Sequence, residues 1–363
     1  MATAFTLPGR YYTSHELYQE ELERIFYDRW VCMGRMEQIP DSGNYLVQQV
    51  GDESLIIVRG EGQTIRAFYN VCRHRGTRIC TASEGRLRQS IQCPYHAWTY
   101  GLDGRLIGAP HMKDVAGFKA EDYGLQPAAL DVWEGFLFVN LASKPEPFSE
   151  ALAPLLGKFA RWHLPKLRAA RRIEYDVRAN WKLIIQNYSE CYHCPLIHPD
   201  LARISPYRSG NNDLTEGPIL GGYMLINPSE HSLTLDGQNC APPLGEVGGD
   251  DLHRVYYYSI LPNMLMSLHP DYVLVHTLWP QSPDRTLIRC EWLFEPEAMA
   301  QPNFDPDSAV SFWDMTNRQD WHVCELSQRG VASRAYRPGP YSTGEGLLAA
   351  FDRELLRALG HRA

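Results

Sequence analysis

The sequence predicts an α+β protein: an antiparallel β module followed by a larger domain in which helices cover an antiparallel sheet. Three observations carry this. Short β segments separated by glycine-rich turns fill residues 41 to 145. From residue 151 onward, helical stretches mix with further β segments. Each part also holds a compact group of cysteine, histidine or acidic residues at metal-ligand spacing.

Taken in order, residues 1–40 are expected to form a helical segment packing on the later domain, with Leu17, Leu22, Ile25 and Phe26 as partial amphipathic support. Residues 41–150 form the β module through "NYLVQQV", "SLIIVRG", "IRAFYNV" and "GFLFVNL". Residues 151–363 form the second domain, with strands "RIEYDVR", "VYYYSIL", "YVLVHTLWP" and "TLIRCEWLF". Its final helix carries Leu347, Leu348, Phe351, Leu355 and Leu359 toward the core. A chain of 363 residues is long enough for two or three domains. A net charge of −8 argues against a nucleic-acid partner. No signal-peptide pattern and no apolar run of about 18 residues is seen, so a cytoplasmic protein without a membrane partner is expected. Nine cysteines in such a chain suggest metal binding rather than a disulfide framework.

The first ligand group lies in "CRHRGTRIC" and "CPYHAW". Cys72 and His74 share one loop, Cys93 and His96 another, with Gly76 and Pro94 marking turns. Structural zinc would pair the cysteines in one loop and the histidines in the other. One of each per loop suits a binuclear cluster, whose two irons are reached from both sides. Cys72 and Cys93 then hold one iron, and His74 and His96 the other, which is the Rieske [2Fe–2S] arrangement. Neutral imidazoles raise the potential of such a cluster to roughly −150 to +300 mV. Cys80 stands outside the set and is read as packing; Arg73, Arg75 and Arg78 are read as a solvated face. The stretch from Cys72 to Tyr100 resembles the Rieske motif of the Rieske non-heme iron oxygenases.

The second group lies in "NWKLIIQNYSECYHCPLIHP". Asn180 is a good N-cap. Trp181, Ile184, Ile185, Tyr188, Cys191 and Tyr192 follow at helical spacing as one buried stripe, and Asn187, Glu190 and His193 share a second face. Pro195 and Pro199 end regular helix. That break swings His198 back toward His193, which closes the helix. The pattern is similar to the mononuclear iron motif of the same family. The resemblance implies a third, carboxylate ligand on a helix near the C-terminus. "SAVSFWDMTNRQDWHVCELSQRG" reads as that helix, with Gly330 at its C-terminal cap. Asp320 lies on its apolar stripe with Val310, Trp313, Asn317, Trp321 and Cys324, whereas Asp314 and Glu325 are read as solvated. A buried carboxylate needs a partner or a metal, so His193, His198 and Asp320 are the expected Fe(II) ligands, a facial triad with positions open to O2 and substrate.

The resemblance covers nearly the whole chain. It implies a helix-grip (START-like) catalytic domain and a head-to-tail homotrimer. It also implies that Glu190 carries electrons from one subunit's cluster to its neighbour's iron. Glu at this position, together with residues 256–286, resembles the branch acting on glycine betaine, carnitine and stachydrine. Tyr256, Tyr258, Tyr272 and Trp279 are the expected faces for a quaternary ammonium. No nucleotide fingerprint occurs, so electrons from NAD(P)H must arrive through a separate flavin/iron–sulfur reductase. The expected reaction is N-methyl hydroxylation followed by demethylation. An aromatic ring dioxygenase, often with a small β subunit, is the alternative on the same chemistry. A non-catalytic Rieske electron carrier is the alternative from another class, and it leaves the second group unexplained.

Overall fold

The computed structural model describes residues 4–362. They form two compact units. One is Phe26–Phe148; the other joins the segment up to Ile25 to the chain from Ser149 onward. No helix among the described residues is long and apolar enough to cross a membrane.

The N-terminal segment contributes helices α1 (Arg10–Thr13) and α2 (His15–Glu21) to the larger unit. Ser14 caps α2 by accepting from the Leu17 N–H. The boundary expected at residue 40 falls instead after Ile25. Residues 31–35 are a strand, β1, rather than helix. All five of its residues are buried, so it lacks the alternation that marks a half-exposed strand.

The smaller unit adds strands β2 (Asn44–Val50), β3 (Glu53–Arg59), β4 (Ile65–Tyr69), β5 (Glu84–Arg86), β6 (Ser90–Gln92), β7 (Thr99–Gly101), β8 (Leu106–Gly108), β9 (Pro127–Trp133) and β10 (Phe136–Asn140). They build a seven-stranded sheet in the order β1-β10-β9-β4-β3-β2-β5 and a three-stranded sheet β6-β7-β8. The core gathers Ile56, Val58, Phe68, Ile91 and Tyr100, with Cys72 and Cys93 among them.

Short helix α3 (Phe148–Ala151) starts on the last residue of the smaller unit and leads toward β11 (Arg168–Val177) in the larger one. Helices α4 (Trp181–Tyr188), α5 (Cys194–Ile197) and α6 (Pro199–Ile204) follow. Strands β12 (Asn211–Leu214), β13 (Ile219–Leu225), β14 (Arg254–Ile260), β15 (Met264–Leu268), β16 (Val273–Ser282) and β17 (Arg285–Phe294) complete an antiparallel sheet ordered β11-β17-β16-β15-β14-β13-β12. Helices α7 (Pro296–Met299), α8 (Asp307–Val331) and α9 (Gly346–Leu359) close the chain. Gly330 lies inside α8, one residue before its end, rather than at the cap.

Helix α8 is fixed to the sheet by polar bonds from its buried face. Trp313 Nε1 donates to the Tyr272 hydroxyl at 2.7 Å, and His276 Nε2 meets Asn317 Oδ1 at 3.1 Å. The Tyr175 hydroxyl donates to Asp314 at 2.8 Å, so Asp314 is a packing partner and not merely solvated. Helix α4 is anchored on α2 by a fully buried ion pair, Lys182 Nζ to Glu21 Oε1 at 2.5 Å, with Trp181 Nε1 donating to the other carboxylate oxygen at 2.8 Å. Burial pulls the Lys182 pKa down against the pull of Glu21. Lys182→Met therefore strands a buried carboxylate and should cost about 3–5 kcal/mol in urea unfolding. Glu21→Leu combined with Lys182→Met should recover most of that loss; an unrecovered double variant would count against the pair as the cause.

Candidate functional site

Two loops of the smaller unit carry the first ligand group on the same backbone frame. In one, the Cys72 N–H donates to Thr77 O at 2.8 Å and the Gly76 N–H to Cys72 O at 2.9 Å. In the other, the Cys93 N–H donates to Trp98 O at 2.8 Å and the Ala97 N–H to Cys93 O at 3.2 Å. Gly76 and Ala97 thus hold equivalent corners, both left-handed, at φ 72° and 56°. Asn70, which the sequence does not single out, holds the first loop. Its side-chain oxygen accepts from the Ile79 and Cys80 N–H groups, and its amide donates to Cys80 O at 2.7 Å.

This frame buries both thiols and leaves both imidazoles half-exposed. The rings of His74 and His96 meet edge to face at 4.8 Å, and His74 stacks on Trp98. The donor set fits a two-ended cluster. Burial, with Cys72 beside it, pushes the Cys93 thiol up, so two thiolates here require a cation between them. Burial and the nearby His74 and Arg75 pull the His96 pKa down, which favours the neutral imidazole that a metal can bind. The Nδ1 atom of His74 is buried and has no hydrogen-bond partner. Cys80, with its thiol pushed up to about 11 by burial, is packing, as expected. Arg78 is not simply solvated, since it donates to Ser54 Oγ at 2.8 Å.

The Tyr100 hydroxyl lies 3.3 Å from Cys72 Sγ and accepts from the Arg73 N–H at 3.0 Å. A hydrogen bond to a ligating sulfur stabilises the reduced cluster. Losing one worth about 1 kcal/mol corresponds to about 40 mV for one electron. Tyr100→Phe should therefore lower the midpoint potential by about that amount with the iron and sulfide content intact. An unchanged potential in a spectroscopic redox titration would remove Tyr100 from this role.

The second group forms in the larger unit. Asn180 caps α4 by accepting from the Lys182 N–H at 3.0 Å. The helix then stops at Tyr188, earlier than the spacing predicts. Tyr192 is 67% exposed, so the buried stripe ends before it. His193 and His198 are instead the N-terminal flanking residues of α5 and α6. Pro195 and Pro199 begin those helices rather than ending one, because proline's missing N–H costs nothing in a first turn. The turn from Cys191 to Cys194 sets their Cα atoms 5.0 Å apart, and they form a disulfide where free cysteines are expected.

His193, His198 and Asp320 converge. Among the described residues they are the one group of three or more such side chains with donor atoms all within 4.8 Å. The Nε2 atoms of His198 and His193 face Asp320 Oδ1 at 2.8 and 3.2 Å. Each Nδ1 is held from behind: His193 donates to Glu190 Oε1 at 2.5 Å, His198 to Gln319 Oε1 at 2.7 Å. That fixes the tautomer which points Nε2 inward. Burial lowers the pKa of His193, but Asp320 and Glu190 outweigh it and push it up to about 10. Burial likewise raises Asp320, and the two histidines outweigh it and pull it down. Two carboxylates around one imidazole call for positive charge, which a divalent metal on Nε2 supplies. Gln319 escapes the sequence reading because only its contact with His198 reveals it.

These donors open into a cavity of about 560 Å³, within the usual range for small-molecule sites. Tyr188, Tyr223, Tyr257 and Trp313 line it. Tyr256, Tyr258, Tyr272 and Trp279 do not. The alternation of β14 turns Tyr257 inward and its neighbours to the opposite face, where Tyr256 donates to Asp251 at 2.6 Å and Tyr258 to Asp213 at 2.8 Å. Tyr272 donates to Leu233 O at 2.7 Å and Trp279 to Thr277 at 3.3 Å.

The Rieske [2Fe-2S] domain pattern matches residues 29–119, and that of the ring hydroxylating alpha subunit catalytic domain matches residues 164–361. The chain belongs to the ring-hydroxylating alpha-subunit family. As a family member it is an oxidoreductase that uses a Rieske cluster and a mononuclear non-heme iron, with electrons delivered through a reductase. The glycine betaine monooxygenase oxygenase subunit of Chromohalobacter salexigens is 35% identical over 374 residues, covering 93% of this chain and 82% of that one. The carnitine monooxygenase oxygenase subunit of Escherichia coli K12 is 30% identical, covering 92% and 86%. A solved quaternary ammonium Rieske monooxygenase matches with a TM-score of 0.86 and 27% identity over 99% of this chain and 96% of that one. Naphthalene 1,2-dioxygenase from Rhodococcus, at 21% identity and a TM-score of 0.80, covers 98% and 94% and shares the fold.

Proposed function

We propose that this family member is the terminal oxygenase of a system that demethylates a small quaternary ammonium compound carrying a carboxylate, of the glycine betaine or carnitine kind. The observation that carries this reading is the cavity itself. It joins a two-histidine, one-carboxylate donor set to the inward faces of Tyr188, Tyr257 and Trp313. The relatives named for glycine betaine and carnitine support the same class.

In this reading Cys72, Cys93, His74 and His96 hold the cluster, and His193, His198 and Asp320 hold the iron. Bound there, the two groups supply electrons and activate O2. The balance is one N-methyl group, one O2, two electrons and two protons giving an N-hydroxymethyl group and water. The N-hydroxymethyl cation then loses a proton and formaldehyde, and the bonding pair returns to nitrogen as a tertiary amine. The protein's own part is to orient and shield. Glu190 and Gln319 set the imidazoles, and the aromatic faces hold the cation with a methyl group toward the donor set.

Glu190 is the electron bridge between subunits of a homotrimer. Exposed apolar side chains support that assembly at both ends: Val71 and Tyr95 beside the cluster ligands, Tyr192 and Leu196 beside Glu190. A flavin/iron–sulfur reductase drawing on NAD(P)H is the donor, which fits a cytoplasmic setting.

Tyr257→Leu should weaken binding of a trimethylammonium carboxylate about 2- to 30-fold, the range a cation–π contact supplies, and weaken its neutral tert-butyl isostere less. Equal losses would reduce Tyr257 to a shape role. The function itself is tested by a substrate screen with a surrogate reductase. Formaldehyde from methylated amines supports it; oxidation of naphthalene-like rings with no formaldehyde overturns it.

A further inference from the structure

A carboxylate on the substrate needs a cationic partner once it leaves bulk water. Of the charged side chains lining the cavity, Glu190, His193, His198 and Asp320 are committed to one another. The remaining one is Arg208, on the stretch between α6 and β12. Arg208 is exposed, whereas His198 in the same lining is buried. Among the described residues no carboxylate lies within ion-pair distance of Arg208. Its neighbour Tyr207, also in the lining, places its ring 5.2 Å from the guanidinium carbon and restricts where the fork points.

The lining therefore combines a two-histidine, one-carboxylate donor set and aromatic faces suited to a methylated cation with a guanidinium that has no carboxylate partner among the described residues. We infer that Arg208 is the specificity-determining anchor for the substrate's carboxylate and selects zwitterionic quaternary amines over those ending in an alcohol. A guanidinium suits this because its planar donors match both carboxylate oxygens at once. An alcohol gains no comparable charge-assisted bond. The inference rests on the function proposed above and deepens it.

The test compares Arg208→Gln and Arg208→Lys with the unaltered holoenzyme, using glycine betaine and choline as probes and formaldehyde release as readout. Iron and sulfide content checks that each variant is intact. Arg208→Gln should lower the ratio of kcat/KM for glycine betaine over choline about tenfold to a hundredfold, mainly through KM, the range expected for a hydrogen bond to a charged group. Arg208→Lys should restore part of it by keeping the charge. An unchanged ratio, or equal losses on both probes, overturns the anchor while leaving the oxygenase reading standing. If neither probe is demethylated, the oxygenase substrate reading fails separately. Calorimetric binding of glycine betaine then decides the anchor: weaker binding to Arg208→Gln supports it, and equal binding overturns it.

Discussion

Asp320→Ala should leave a protein that still carries its cluster but turns over no substrate. Iron should fall from about three atoms per chain to about two, with acid-labile sulfide unchanged at about two, because the cluster and the triad sit on separate residues. The loss follows from geometry. Asp320 Oδ1 faces both imidazole Nε2 atoms at 2.8 and 3.2 Å, so removing it takes one donor from three. Even partners behind a ligand typically cost 10–100-fold in metal affinity when removed, and a ligand costs more. The cluster's absorption and its reduced-state resonance should be those of the unaltered protein. A variant that keeps its third iron and its activity would dismiss Asp320 as a ligand.

Glu190→Gln should produce the second largest effect, with both metals retained. Its carboxylate receives His193 Nδ1 at 2.5 Å and the backbone N–H groups of Tyr192 and His193. Glutamine keeps the size and one acceptor oxygen but removes the charge, and it weakens the hold on the ligand. Turnover should fall about a hundredfold, the upper end for a partner behind a ligand. Rapid mixing of the reduced variant with O2 and substrate should show slowed cluster oxidation. Oxidation at the unaltered rate with full product would free Glu190 from the bridging role.

What the sequence reveals is what is local. Cys72–His74 and Cys93–His96 sit in short loops, so their spacing carries their geometry. Asp320 is far from its partners, but an acid on the stripe of Val310, Trp313 and Trp321 is conspicuous, and α8 does present it to the histidines. The end of α4 is hidden because Cys191 and Tyr192 extend the apolar rhythm, while the chain actually turns there. Strand β1 is hidden because it is buried on both faces. The two substrate aromatics expected on β14 miss by one residue. Three consecutive tyrosines give no clue to which side of β14 faces the cavity, and pairing with β13 and β15 decides for Tyr257. Gln319 and Arg208 carry no sequence signal, since each matters only through what the fold sets beside it.

Whether this chain demethylates a quaternary amine with its own electrons is decided by a single turnover. The fully reduced protein, loaded with glycine betaine and without reductase, is mixed with O2. One electron from the cluster and one from the mononuclear iron balance one hydroxylation. Cluster oxidation should be accompanied by formaldehyde and dimethylglycine in equal amounts, approaching about one per occupied iron site. Cluster oxidation with no demethylated product from any quaternary amine, or a ring diol from an arene instead, would contradict the proposed function.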